Sequence, residues 1–280
     1  MLRLISYALD TAWSNKTSST SSTTTTTTTT TTTPSTSSSS SSKKKTRRNL
    51  LKPAKPEPWS YRWRVERSHE EAAYGRWDLI LGYILYPPLF IAGPITTFNA
   101  WVSHLERPQR TSSPMDLFLY ALRYGASLLL LEMFLEYVPV FAALRSRGFL
   151  YLDFFEQGRG LFTLMFVAWL KFLIIWRYFR MVTLLDGFDA PENLLRCIVN
   201  HVSIEGFWRS WHRSYNQWLV RYLYIPLGGS RAGPLMRLVN MGLTFTFVAL
   251  WHDFELKLIQ WGWVLSFLLI PEVLIGALMA

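Results

Sequence analysis

Two histidines, His212 and His252, stand in the most apolar and aromatic half of the chain, within the runs 207–218 (FWRSWHRSYNQW) and 247–253 (FVALWHD). An imidazole changes charge near neutral pH, so it can take a proton from a hydroxyl and return it within one reaction cycle. Holding a titratable group in an apolar setting is costly, which marks both positions as candidates for chemistry. The five histidines (His69, His104, His201, His212, His252) include no pair three or four residues apart, and HExxH is absent. No metal site is therefore expected. A Ser-His-Asp triad has no GxSxG run to support it. The lone cysteine, Cys197, excludes an intramolecular disulfide and a Cys-based zinc cluster. Thioester chemistry on its thiol and a plain role as a small buried hydrophobe both remain open to it.

The first histidine needs a helix to aim it. Trp208, Trp211, Tyr215, Trp218, Leu219 and Tyr222 recur at the spacing that gathers side chains on one helical face, so 207–222 reads as one amphipathic helix. Arg209, Arg213, Ser214, Gln217 and Arg221 fill the remainder, and His212 falls at the edge of the aromatic stripe beside Arg209 and Asn216. An interfacial helix, with aromatics in the headgroup layer and arginines on phosphates, accounts for the pattern as a whole. Pro226 and Gly228-Gly229 should end this helix in a turn, with Arg231 beyond it. His252 closes an apolar run in which Met241, Phe245, Val248 and Ala249 share its side. Spacing alone fits a histidine that caps a span as well as it fits a general base.

Five segments approach the roughly 20 apolar residues that cross a bilayer: 79–98, 117–138, 161–179, 235–251 and 259–278. Glu132, Glu136 and Lys171 lie inside them and should face protein or water. Basic stretches precede the first segment and follow the third, and positive charge belongs on the cytoplasmic side at both places. One segment must then fail to cross. Pro87-Pro88 and Gly93-Pro94 break helical hydrogen bonding in 79–98, so that segment should be re-entrant or kinked. On this topology His212 lies near the cytosol and His252 towards the opposite, lumenal side.

Residues 1–58 read as a separate disordered leader ahead of a membrane domain at 59–280. Thr17–Ser42 is Ser and Thr throughout except for Pro34, a composition that cannot bury enough apolar surface to offset its ordering entropy. The net charge of +10 is concentrated in Lys43, Lys44, Lys45, Arg47, Arg48, Lys52, Lys55, Arg62 and Arg64. Beside apolar spans such a cluster points to anionic lipid headgroups, and nucleic acid is not expected as a partner. The fold class expected is all-α: a polytopic membrane protein.

Four pieces in this order resemble the membrane-bound O-acyltransferase family, and more narrowly its fungal glycerol-uptake branch, related to the Hedgehog acyltransferases. They are 86–99 (YPPLFIAGPITTFN), 207–218, 221–229 (RYLYIPLGG) and 249–253 (ALWHD). The resemblance covers roughly Trp59 to Ala280. It implies part of a helical bundle of that family's type, acyl-CoA as co-substrate with no cofactor, and a lipid hydroxyl as acceptor within the membrane. It also implies a multi-pass location in the endoplasmic reticulum or plasma membrane, and glycosylphosphatidylinositol-anchor remodelling as the reaction's setting. His252 matches the family's catalytic base, and His212 matches a second functional position that is His, Asn or Asp across the family. Arg209 and Arg213 would then hold the CoA phosphates, with Asn216, Trp208 and Trp211 along the substrate path. Family members carry about twice as many spans, so the chain is expected to be a fragment. Two other functions stay open: a glycerol-transport protein, and a non-catalytic homologue that keeps the histidines without a closed tunnel.

Overall fold

The computed structural model describes residues 1–21, 65–109, 112–229 and 233–278. The described residues form helices and turns: α1 Leu2–Ser21, α2 Glu71–Tyr74, α3 Trp77–Leu85, α4 Pro87–Ile91, α5 Phe98–Glu106, α6 Pro114–Tyr137, α7 Val140–Arg145, α8 Phe154–Leu185, α9 Ile204–Ser210, α10 Arg213–Leu219, α11 Pro234–His252 and α12 Leu256–Leu278. Most of the Ser/Thr tract, the basic stretch 43–64 and Arg231 lie outside these residues.

Two helices among those described are long and apolar enough to cross a membrane, α6 and α8. At 24 and 32 residues they run about 36 and 48 Å, against a hydrocarbon core of about 30 Å. Both begin on a side-chain cap that satisfies otherwise orphaned backbone N–H groups. Ser113 and Asp116 form a reciprocal capping box on α6, and Asp153 Oδ1 accepts from the Glu156 N–H at 2.7 Å on α8. Phe118, Leu122, Leu129 and Met133 stand exposed on α6. A soluble core helix would bury that face, whereas almost none of the apolar window of α6 is buried. Glu132, Glu136 and Lys171 are exposed on these helices rather than packed against protein.

The first expected span is broken. α3 stops at Tyr86, α4 carries Pro87 and Pro88 in its first turn, and residues 92–97 run without helix into α5. A Cβ on Gly93 would lie 2.1 Å from the Pro88 carbonyl oxygen, so the chain doubles back here only because glycine is present. The fourth and fifth segments are helices α11 and α12, joined by a short turn into an antiparallel pair. Trp263 Nε1 donates to Thr246 Oγ1 at 3.0 Å, and a Cβ on Gly262 would meet the Phe245 carbonyl at 3.0 Å, so the two backbones approach closely there.

The expectation of a disordered leader does not hold for its start. α1 is a helix built into the core: Leu2, Ile5, Leu9 and Trp13 pack with Tyr215, Trp218, Leu219 and Tyr222 of the histidine region. The adjoining stripe of the same helix buries Ser6, Asp10 and Ser14. Trp218 Nε1 donates to Ser6 Oγ at 2.7 Å, and the Tyr222 hydroxyl donates to Asp10 at 3.0 Å. Arg221 pairs with Asp10 at 3.3 Å and with Glu66 at 2.7 Å, and Glu66 also accepts from Thr97 Oγ1 at 2.9 Å. Asp10, which interrupts the apolar run at the N-terminus, does so because it anchors this network.

Candidate active site

The expected single helix over 207–222 is two helices and a looser turn. α9 ends at Ser210, and His212 adopts φ 45° and ψ 53° before α10 starts at Arg213. Among the described residues His212 alone has positive φ without being glycine. The left-handed conformation costs an ordinary side chain about 1–2 kcal/mol and persists where the surroundings impose it. Those surroundings are specific. Asn193, buried in the loop after α8, accepts from the Arg213 N–H through its carbonyl and from the Ser214 N–H through Oδ1, both at 3.0 Å. Ser214 Oγ in turn accepts from the Ile95 N–H at 2.8 Å, tying the broken segment 92–97 to α10. At the far end, Val220–Tyr224 is a π-helical turn, and Gly228 and Gly229 at φ 105° and 55° turn the chain towards α11.

Breaking the helix at residue 212 rotates the imidazole away from the place that continuous phasing would give it. The ring stacks on Trp176 of α8, centroids 4.5 Å apart at 22°, and lies 5.2 Å from Tyr215 and 6.4 Å from Trp251. Burial pushes the His212 imidazole down to about 4, and neighbouring His252 pushes the same way, so His212 is neutral at pH 7. His252 ends α11 with its ring 4.9 Å from Trp251 and 6.3 Å from Trp261. The two histidines therefore belong to one chamber, joined through Trp251.

That chamber is an open cavity of about 1900 Å³. His212, His252, Arg209, Arg213, Asn216, Trp208 and Trp211 all line it. Arg237, Met241, Thr244, Phe245, Val248, Trp251 and His252 present one face of α11 along it, spanning about 22 Å of helix. Met165, Phe172 and Trp176 of α8, Leu89–Gly93 of the broken segment, and Met1 with Leu2–Leu4 at the start of α1 complete the wall. Arg209 is already engaged: its guanidinium pairs with Glu205 one turn earlier and its side chain is 70% exposed. It is the least enclosed of the expected phosphate ligands.

Sequence reasoning missed the supporting residues. Asn193 and Ser214 gave no pattern to find. Glu272 did give a signal, as a lone acid in an apolar run. Its Oε2 accepts from the Ile204 and Glu205 N–H groups at 3.0 and 3.1 Å, capping α9 from α12.

A helical chain with long lipid-facing helices and a two-histidine chamber fits the sequence model of the membrane-bound O-acyltransferase family, MBOAT, which matches residues 1–280. The chain belongs to that family. The chain is 36% identical over 272 residues to the membrane-bound O-acyltransferase gup1 of Schizosaccharomyces pombe, covering 97% of this chain and 42% of the relative. It is 44% identical over 211 residues to the GUP1 protein of Saccharomyces cerevisiae, 75% of this chain and 37% of the relative. The mouse protein-cysteine N-palmitoyltransferase HHAT is more distant, 30% identical over 177 residues, 62% of this chain and 35% of the relative. The chain thus spans about two fifths of the length of the curated relatives it matches.

Proposed function

We propose that this chain carries the acyl-transfer chamber of a membrane-bound O-acyltransferase, moving a fatty acyl group from acyl-CoA to the hydroxyl of a lipid. The observation that carries the reading is the meeting of His212 and His252 in one apolar, aromatic-walled cavity beside the membrane helices. In the proposed reaction His252 takes the proton of the acceptor hydroxyl as its oxygen attacks the thioester carbonyl. The C–O bond forms while the carbonyl π pair moves onto oxygen. Collapse breaks the C–S bond, and the departing thiolate takes the proton back from the imidazolium, leaving ester and free CoA. His212, neutral and held rigid on Trp176, supplies a hydrogen bond rather than a charge. Arg213 and Arg209 line the cavity and suit the CoA phosphates, with Trp208, Trp211 and Asn216 along the path of the acyl chain.

The acceptor we propose is a glycerophospholipid-type alcohol such as a lyso-glycosylphosphatidylinositol, in the endoplasmic reticulum membrane, as the family resemblance of the four sequence pieces implies. The test uses the whole chain in detergent with radiolabelled palmitoyl-CoA and a panel of lysolipids. Labelled lipid should form, and His252→Ala should lower its rate at least a hundredfold without changing thermal stability by more than a few degrees. A His252→Ala variant as active as the parent would sink the assignment of the base.

A further inference from the structure

Tyr215 is 5% exposed, and its hydroxyl is buried with no hydrogen-bond partner among the described residues. Leaving a buried hydroxyl unpaired costs about 1–3 kcal/mol, and folded proteins seldom tolerate it without a reason. A phenylalanine would keep the same ring contacts, 4.5 Å to Trp251 and 5.2 Å to His212, with nothing left unpaired. Other buried polar atoms without partners sit on Thr96, Trp101, Arg177, Asn193, Arg221 and Ser266, none of which lines the cavity. Arg3 does line it, but its guanidinium already donates to the Tyr83 and Ile84 carbonyls. Among the described residues, Tyr215 is the one neutral side chain that lines the cavity with its only donor unused, and Arg3 Nη2 belongs to a guanidinium already anchored through Nη1.

Its position suits a reacting carbonyl. The ring lies between His212 and Trp251, and Trp251 is in contact with His252. Burial raises the phenol's pKa, so the group stays a donor at any working pH. We infer that the Tyr215 hydroxyl donates a hydrogen bond to the carbonyl oxygen of the bound thioester, beside His212, and strengthens that bond as the oxygen takes on negative charge. The inference rests on the acyl-CoA reading above. It adds a second donor for the developing oxyanion, and removal of one such donor commonly costs a hundredfold or more in turnover.

The test separates binding from turnover. Two unreactive probes are titrated into the solubilised whole chain: a palmitoyl-CoA analogue with CH2 in place of sulfur, which keeps the carbonyl, and a thioether analogue, which lacks it. Tyr215→Phe should weaken the ketone about tenfold and leave the thioether unchanged, with a melting temperature equal to or above the parent's. In the transfer assay the same variant should lose kcat with little change in KM. Equal affinity of parent and variant for the ketone overturns the inference while leaving the acyl-CoA reading intact. Equal loss for both probes overturns it too, since a packing role alone would produce that. If the parent binds neither probe, both the inference and the reading it rests on fail.

Discussion

At the scale of single residues, the backbone of His212 explains which side chains can stand there. Its φ of 45° lies in the left-handed region, which His, Asn and Asp enter more readily than other non-glycine residues. Those are the three residue types that the family resemblance allows at this position. Geometry and chemistry thus select together: a polar donor or acceptor that also tolerates the turn. His212→Asn should leave the melting temperature within about 2 °C, whereas His212→Leu should lower stability by about 1–2 kcal/mol through the left-handed penalty. Chemical denaturation of both variants checks this, and equal stabilities would show that the conformation does not constrain the choice. The sequence made His212 visible by its apolar neighbours and hid its conformation. Helical periodicity runs unbroken through 207–222, and only the hydrogen bonds from Asn193 and Ile95, distant in sequence, show that the helix must break.

At the scale of elements, the histidine region is held by parts of the chain that look unrelated to it. α1 presents Asp10, fully buried, to Arg221 and Tyr222, and Glu66 links the same arginine to Thr97 at the start of α5. Removing the Asp10 carboxylate leaves Arg221 with Glu66 alone and strands the buried Tyr222 hydroxyl without its acceptor, at a cost of about 1–3 kcal/mol. Asp10→Ala should therefore unfold the contact between α1 and α10, read as faster amide exchange across 213–224 and loss of transfer activity. Asp10→Asn, which keeps a hydrogen-bond acceptor for Tyr222, should lose less. Exchange unchanged in Asp10→Ala would mean that α1 is not needed to hold the site. Composition hid this role because the Ser/Thr tract beginning at Thr17 dominates the first 58 residues. The kink in 79–98 was legible because proline and glycine act locally, and the apolar lengths of α6 and α8 were legible for the same reason. Tertiary partners such as Asn193 and Glu272 carry no local pattern.

At the scale of the whole molecule, the two spanning helices and the chamber share α8. Met165, Phe172 and Trp176 line the cavity, while Phe162 and Tyr178 of the same helix stand exposed away from it. The cavity wall therefore includes a helix long and apolar enough to span a membrane, and under the proposed function an acyl chain would pass between lipid and chamber without crossing water. α11 sets the length of that path, with His252 at one end and Arg237 about 22 Å away at the other. Met241 lies on this face, one helical turn from Arg237 and three from His252. A larger side chain there should shorten the usable path without touching either histidine. Met241→Trp should lower transfer from palmitoyl-CoA at least tenfold and transfer from butyryl-CoA less than twofold, measured as kcat/KM for each donor. A short chain ends before the obstruction, whereas a long chain must displace it or remain in water, at about 0.8 kcal/mol for each CH2 left unburied. Equal losses for both donors would mean that the acyl chain leaves the chamber by another wall, and would move the search to the face formed by Leu89–Gly93.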